Sequence, residues 1–130
     1  MNSKIKIVLL DNVKLFREGI KQILESDSTI YVAADGDENE RVYQHLHKHK
    51  PDILLMEEEI VQKKQLHHDY NILKNFPSTK LVILTLHKKN YNEDHSYLTN
   101  KINGYLLKDM SATELIKTIK QIHSGFEFSY

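Results

Sequence analysis

The sequence predicts an α/β fold in which a doubly wound parallel sheet of five strands, (βα)5, carries helices on both faces. Three observations support this prediction. Short apolar runs alternate five times with longer stretches that are polar or helical in periodicity. The apolar runs are nearly continuous, as in strands that are buried on both faces. The chain has 130 residues, of which 40% are hydrophobic, and this suits one domain with one core.

The first half of the chain contains three predicted strands and two predicted helices. The runs IKIVLL at 5–10, IYVAA at 30–34 and DILLM at 52–56 are apolar, so each predicts a buried strand. Between them, residues 13–26 repeat apolar side chains at helical spacing. Residues 37–49 predict a charged helix that is mostly exposed. This alternation is typical of parallel strands joined by crossover helices.

The second half of the chain repeats the alternation with weaker helical signals. Residues 62–75 predict a polar helix, and KLVILTL at 80–86 predicts the fourth strand. Residues 88–101 are rich in Asn and are the weakest helix candidate. GYLLK at 104–108 predicts the fifth strand, and residues 111–125 predict a final amphipathic helix. Five βα units in succession therefore indicate one parallel sheet.

The final predicted helix has the clearest boundary signals. Ser111 suits its N-cap, and Glu114 occupies the capping-box position. Gly125 suits the region of its C-cap. We therefore expect one domain over residues 1–125, with residues 126–130 as the start of a linker or tail.

Composition limits the classes of partner. Lys and Arg total 18, as do Asp and Glu, so no net charge draws the chain to nucleic acid or membrane. The sequence has no cysteine, and none of its apolar runs approaches the roughly 20 residues that span a bilayer. The N-terminal segment lacks a signal-peptide cleavage site after its short apolar run. These observations predict a cytoplasmic protein without a membrane partner.

Polar side chains follow four of the five predicted strands. Asp11 and Asn12 follow the first strand, Glu57 the third, Thr85 the fourth, and Lys108 ends the fifth. In doubly wound sheets the binding site lies at the carboxyl ends of the strands, so these side chains are expected to converge. Carboxylate oxygens bind Mg²⁺, while a hydroxyl and an ammonium suit a phosphoryl group. The pattern predicts a site for a divalent cation and a phosphoryl group.

The chain resembles the receiver domain of two-component response regulators, most closely the NarL/FixJ (LuxR-type) group. The resemblance rests on four fragments in order: LLDNVKLFREGI, KPDILLME, LVILTLH and GYLLKDMSATELIKTI. It implies a flavodoxin-like sheet with strand order 2-1-3-4-5. It also implies a function in phosphorelay signal transduction and transcription regulation.

The resemblance assigns metal ligands to the first and third strand ends. In the family, two acidic residues after the first strand hold Mg²⁺, and these positions are Asp11 and Asn12 here. The phosphoacceptor Asp is replaced by Glu57. The following loop normally lends a backbone carbonyl to the metal, which implies Glu59 here. Because Asn12 removes a negative charge, Mg²⁺ binding is expected to be weak or absent.

The resemblance also assigns the phosphoryl contacts and the switch. Thr85 and Lys108 occupy the positions that contact the phosphoryl group. Tyr105 occupies the position of an aromatic residue that changes rotamer when the domain switches. Each has an ordinary alternative: an N-cap role for Asp11, a strand role for Thr85 and Tyr105, and a solvated charge for Lys108.

Glu57 is the main departure from the family pattern. Its extra methylene displaces the carboxylate by about 1 Å, and misplacement on that scale costs about 10²-fold in rate. The longer side chain is instead expected to reach Lys108 and Thr85 permanently. It offers one negative charge and two oxygens where a phosphoryl group carries about −1.5 to −2 and three oxygens. We hypothesise an atypical receiver that is regulated without phosphorylation or held toward an active-like state.

Other interpretations stay open at this point. The pocket could be vestigial in a pure interaction or dimerisation module, or Glu57 could still accept phosphate. A Mg²⁺-dependent phosphatase is disfavoured because the sequence has no glycine-rich phosphate loop, so we predict a protein that is not an enzyme. The expected partners are a second copy of the chain and a sensor histidine kinase. DNA is expected only through a C-terminal helix-turn-helix domain outside this chain.

Several remaining charged residues are given no role in the site. Three Glu in a row usually form a solvated loop, so we expect Glu58 to face water. His45 and His49 lie at i, i+4 spacing but lack an identifiable third metal ligand, so we expect a charged helix face. His87 lies near the predicted pocket and is assigned no function.

Overall fold

A single parallel sheet organises the chain in this computed structural model, which describes residues 4–63, 72–86 and 102–129. The strands lie in the order β2-β1-β3-β4-β5-β6, and every neighbouring pair is parallel. Their bounds are β1 Ile5–Leu10, β2 Ile30–Gly36, β3 Ile53–Glu57, β4 Lys80–Thr85, β5 Ile102–Leu107 and β6 Phe128–Ser129. The five predicted strands and their order are confirmed, and β6 is an addition.

The helices that cover the sheet agree with the prediction in part. Their bounds are α1 Lys14–Glu25, α2 Val42–His49, α3 Glu58–Lys63 and α4 Ala112–His123, with a 3₁₀ turn at Ile72–Asn75. The prediction of one helix over 62–75 is wrong at its start, because α3 begins at Glu58 directly after β3. Carboxylates in the first turn stabilise a helix N-terminus, so the Glu-rich segment opens a helix. The predicted helix at 88–101 and His87 lie outside the described residues.

Two apolar layers flank the sheet because successive strand residues point to opposite faces. Leu9, Leu55 and Val82 belong to one buried cluster, which also contains residues of α1 and α4. Leu54 and Ile83 belong to the other, which contains residues of α2 and α3. Since both faces of the central strands are buried, β3 and β4 are apolar through their middles, and the polar residues Glu57 and Thr85 stand at their carboxyl ends.

Both ends of α4 are fixed by side chains. Ser111 is confirmed as the N-cap: its Oγ atom accepts a hydrogen bond from the backbone N–H of Glu114 at 3.1 Å and donates to Oε1 of Glu114 at 3.0 Å. At the other end, Lys80 Nζ donates to the carbonyls of Ile122 and His123 at 2.8 and 3.1 Å. A cation on the last carbonyls of a helix also complements its dipole. This anchoring holds the loop between β5 and α4, which carries Lys108.

The chain after α4 returns to the sheet edge. Phe128 pairs with Gly104 and Ser129 pairs with Tyr105, both in parallel. Two residues of the segment predicted as a linker or tail therefore extend the sheet. Where the domain ends stays a prediction. Within the described segments, none of the helices is long and apolar enough to cross a bilayer.

Candidate functional site

Four polar side chains meet at the carboxyl ends of the central strands, as the sequence predicts. Asp11 follows β1, Glu57 and Thr85 end β3 and β4, and Lys108 follows β5. Parallel pairing in register places these ends side by side, with Glu57 opposite Leu84. All four residues are buried. Their polar atoms must therefore find partners within the protein.

The ammonium of Lys108 lies between two carboxylates. Its Nζ atom is 2.8 Å from Oδ2 of Asp11 and donates a hydrogen bond to Oε2 of Glu57. The Lys108 side chain is only 2% exposed, and Nζ also lies 4.6 Å from the ring centroid of Phe16. Burying an ammonium is costly unless it is paired and hydrogen-bonded. The two carboxylates and the aromatic face supply that compensation.

Asp11 is held in place from two directions. Its Oδ1 atom accepts from the backbone N–H of Val13 at 2.8 Å, and Arg17 donates to its carbonyl oxygen at 2.6 Å. Arg17 is itself fixed by Asp35, with a distance of 3.1 Å between Nε and Oδ2. Asp11 is not the N-cap of α1, since that position is Val13. The Asp11 carboxylate therefore serves both the turn into α1 and the ion pair with Lys108.

The amide of Asn12 does not join these carboxylates. Its Nδ2 atom donates to Oε1 of Glu38 at 2.6 Å, and its Oδ1 atom accepts from the Glu38 backbone N–H at 2.8 Å. Both ends of the amide are thus used by the loop between β2 and α2. The structure therefore separates Asn12 from Asp11, although the two are adjacent in sequence.

Lys63 extends this contact across the rim. Its Nζ atom lies 3.0 Å from Glu38 and 3.2 Å from Glu59. The hydrogen bond from Lys63 lowers the pKa of Glu38, and the bonds to Glu38 and Glu59 raise the pKa of Lys63. The Glu59 side chain is exposed, and its backbone lies in the first turn of α3. Because helix carbonyls are directed toward the helix C-terminus, the carbonyl of Glu59 belongs to the helix ladder.

Glu58 corrects a prediction. The sequence suggested a solvated residue, but Glu58 is only 9% exposed, and its Oε1 atom accepts from the Thr85 hydroxyl at 3.3 Å. The reason is that α3 starts at Glu58, so its first side chain turns back toward β4 while Glu59 faces water. The sequence offered no signal to separate the three glutamates, because their faces depend on where the helix begins. The expectation that Glu57 reaches both Lys108 and Thr85 is therefore met only for Lys108, since the Thr85 hydroxyl donates to Glu58. Glu58 is thus a site residue that the sequence missed.

The arrangement does not fit a divalent cation as it stands. Oε2 of Glu57 is hydrogen-bonded to Lys108, Oδ2 of Asp11 lies 2.8 Å from the same ammonium as an ion pair without hydrogen-bond geometry, and the Asn12 amide is bound to Glu38. Oε1 of Glu57 is buried and lacks a hydrogen-bond partner within the described segments. In the same segments, no three His, Cys, Asp or Glu side chains are grouped to hold a metal. The Lys108 ammonium takes the position between the carboxylates that a cation would share.

The histidines of α2 form a stack and not a metal centre in the described part of the chain. The rings of His45 and His49 are parallel to within 15° at a centroid distance of 5.9 Å. His45 Nε2 lies 2.7 Å from Oε1 of Glu40. Burial and the neighbouring charges of Lys48, His45 and Lys6 lower the pKa of His49.

Tyr105 lies in β5, in the core layer between the sheet and the helices α2 and α3. The residue is 8% exposed and belongs to the core cluster on the α2 and α3 face. Its backbone is paired with Ile83 on one side and Ser129 on the other. The predicted switch residue is therefore buried between β4 and the added strand β6.

Comparisons with known proteins match this geometry. The model of the response regulator receiver domain matches residues 7–120. The transcriptional regulatory protein DegU of Brevibacillus brevis is 33% identical over 127 residues, which cover 95% of this chain and 52% of that protein. The chain thus spans about half the length of this curated relative.

Solved structures agree on the fold. A two-component response regulator of the LuxR family from Aurantimonas sp. SI85-9A1 superposes with a TM-score of 0.77 at 22% identity, covering 98% of this chain and 90% of that one. A DNA-binding response regulator of the LuxR family from Staphylococcus aureus gives a TM-score of 0.71 at 18% identity, covering 91% and 98%. At these identities the superpositions support the architecture and leave the chemistry to the residues of the site.

Proposed function

Because this chain belongs to the response regulator receiver domain family, we propose that it is an atypical receiver in which the Glu57–Lys108 ion pair replaces phosphorylation. The family predicted from the four sequence fragments is confirmed. Receiver domains of this family act in two-component signalling and transcription regulation, and relatives of this chain are transcriptional regulators. The proposal concerns how this particular receiver is controlled.

The observation that carries the proposal is the buried contact between Lys108 and Glu57. The lysine that would neutralise a phosphoryl group already neutralises a carboxylate on the strand end where that group would be attached. A phosphoryl donor would have to break this pair, and separating a buried ion pair leaves two uncompensated charges. Glu57 also lies about 1 Å from the position that an Asp carboxylate would take, which slows in-line attack.

Binding of Mg²⁺, which assists phosphorylation in other receiver domains, is weakened in the same way. Receiver domains generally bind Mg²⁺ at the phosphorylation site. In this chain Asn12 is engaged by Glu38, and Asp11 is engaged by Lys108. We expect Mg²⁺ to bind no tighter than the millimolar range, because it would have to displace Lys108 from the carboxylates.

The buried position of Tyr105 suits a receiver held in one state. With Lys108 and Thr85 occupied by carboxylates, the end of β4 has the polar partners that a phosphoryl group would provide. Tyr105 is packed in the core layer beside it. We propose that this inward ring marks the active-like state and that the pair Glu57–Lys108 maintains it.

The output and its setting are also proposals. The longer relatives regulate transcription, so we propose that this receiver is cytoplasmic, is not an enzyme, and forms a homodimer that controls DNA binding by a separate domain. A sensor histidine kinase remains a candidate partner through the family. A second candidate function, a vestigial receiver that acts only as an interaction module, is favoured by the diversion of Asn12 to Glu38.

Intact mass spectrometry after incubation with acetyl phosphate and Mg²⁺ tests the proposal. We expect no adduct on the unmodified chain, whereas a phosphoryl adduct adds about 80 Da. The Glu57→Asp variant is the matched control, because it restores the shorter acceptor and should gain the adduct. A stoichiometric adduct on Glu57 of the unmodified chain would overturn the proposal.

A further inference from the structure

Glu58 has its own contact at this site, separate from the Glu57–Lys108 pair. Its buried carboxylate accepts a hydrogen bond from the Thr85 hydroxyl at 3.3 Å. Glu57, directly before it, binds Lys108. The two residues that recognise a phosphoryl group in the family therefore each face a different carboxylate. Those carboxylates come from consecutive residues at the junction of β3 and α3.

We propose that Glu58 is a positioning residue that holds the Thr85 hydroxyl and, together with Glu57, completes an internal substitute for a phosphoryl group. The inference rests on the proposed function, since it concerns the same pocket. It adds a second residue, with a separate target. Glu57 supplies the negative charge that pairs with the Lys108 ammonium, and Glu58 supplies the hydrogen-bond acceptor for the Thr85 hydroxyl.

Charge and oxygen count support the pairing. Glu57 alone offers one negative charge and two oxygens, which is about half the charge of a phosphoryl group at neutral pH. Glu57 and Glu58 together offer two charges and four oxygens. This total is close to a phosphoryl group's charge of about −1.5 to −2 and its three oxygens. The two carboxylates are distributed over the same two recognition partners, Lys108 and Thr85.

The burial of Glu58 is not explained by helix stability alone. An acidic side chain in the first turn of α3 favours the helix, but the exposed Glu59 already provides one. Burying the Glu58 carboxylate costs free energy unless the group is hydrogen-bonded. The contact with Thr85 supplies such a bond at the inward position.

Methyl NMR on threonine-labelled protein tests this inference. The Thr85 methyl signal, assigned from its loss in Thr85→Val, is compared between the unmodified chain and its variants at one pH. We expect the signal to shift in Glu58→Ala, which removes the hydrogen-bond acceptor of the Thr85 hydroxyl. Glu59→Ala is the matched control, since it shortens the exposed neighbour and should leave the signal in place.

The position of Tyr105 gives a second readout that a purely structural Glu58 would not change. We expect Glu58→Gln to add a second set of Tyr105 ring signals and Glu58→Asp to restore part of the original set. If Glu58→Ala does not fold, the unmodified chain still decides, because nuclear Overhauser contacts must join the Thr85 methyl to the Glu58 side chain. Absence of those contacts, or a Thr85 signal that is unchanged in Glu58→Ala, would overturn the inference.

The outcome is separable from that of the proposed function. A phosphoryl adduct on Glu57 overturns phosphorylation-independent control, while the Thr85 signal in Glu58→Ala still tests the contact between Glu58 and Thr85. Absence of the adduct together with an unchanged Thr85 signal keeps Glu57–Lys108 as the substitute and removes Glu58 from it.

Discussion

The Nζ atom of Lys108 lies 2.8 Å from Oδ2 of Asp11, although the two residues follow β5 and β1, which are separated by two strands in the sheet. The contact therefore spans the rim above β3 and β4. Both side chains are almost fully buried, at 2% and 0% exposure. An ion pair in this position fixes the distance between two strand ends, and Glu57 on β3 shares it. The charges of the site are therefore paired with one another within the protein, Lys108 with Asp11 and Glu57.

Removing the shared cation should be strongly destabilising. In Lys108→Met, Asp11 and Glu57 lose their ammonium, and losing one partner of a buried pair costs about 3 to 5 kcal/mol in the free energy of unfolding. Urea denaturation measures this loss. Lys120→Met is the matched control, because Lys120 pairs with Asp27 at 2.7 Å on the surface. That exposed pair is screened by solvent, so its loss should destabilise the chain far less, and equal losses in the two variants would contradict the prediction.

Returning the second acidic residue should raise Mg²⁺ affinity. In Asn12→Asp, the new carboxylate cannot donate to Glu38 and is repelled by it, so the side chain should turn toward the pocket. An added charge a few ångströms from a divalent cation should strengthen binding by about tenfold or more. Calorimetric Mg²⁺ titration measures the change. Asn39→Asp adds the same charge at an exposed position, and an equal gain there would show a general field effect.

Two glycines should respond to alanine in opposite directions. A Cβ on Gly104 would lie 2.6 Å from Cδ1 of Ile122 and 3.3 Å from Cγ1 of Val82, so the buried Ile122 side chain would have to move. Overpacking of this kind costs about 1 to 3 kcal/mol. In Gly19→Ala, on α1, the added methyl meets no atom within 4 Å. Helix propensity should then stabilise the chain by about 0.5 to 1 kcal/mol. Thermal unfolding measures both, and a stabilised Gly104→Ala would contradict the packing.

His49 should make stability depend on pH near neutrality. Burial lowers its pKa below the usual 6.5, so the folded chain binds fewer protons than the unfolded chain as pH falls below that value. Stability is therefore full above about pH 7 and declines toward about pH 5. The pKa of Asp27 is lowered to about 2 by Lys120 and Thr29, so Asp27 stays charged over this window.

Denaturation midpoints at several pH values check this dependence. In His49→Gln the decline between about pH 7 and pH 5 should shrink, because the group that must take up a proton is absent. His123→Gln replaces an exposed histidine at the end of α4 and serves as the control. A decline that is unchanged in His49→Gln would assign the effect to another group.

The sequence predicted the framework of the site because the framework depends on local patterns. Apolar runs define strands, and parallel strands bring their carboxyl ends together, so Asp11, Thr85 and Lys108 could be placed on one rim. The orientation of the Asn12 side chain, away from the pocket, could not be predicted. It depends on Glu38, which belongs to another loop, and on the rotamer that this contact selects.

Other features were missed for equally physical reasons. Glu58 was expected in water because a run of three glutamates has no periodicity from which to identify an inward member. Its burial follows from the start of α3 at that residue. Strand β6 has two residues, too few to show alternation, and it forms only because α4 returns the chain to the edge of β5.

One NMR titration tests most directly whether the Glu57–Lys108 pair replaces phosphorylation. Beryllium fluoride, which imitates a bound phosphoryl group, is added with Mg²⁺, and the backbone and tyrosine-ring signals are followed. We predict that the signals of Thr85, Tyr105 and Lys108 in the unmodified chain stay in place when the additive is titrated. Glu57→Asp should show shifts at all three. Shifts of the Thr85 and Tyr105 signals in the unmodified chain would contradict the prediction, because they would show that the pocket still binds a phosphoryl analogue and responds to it.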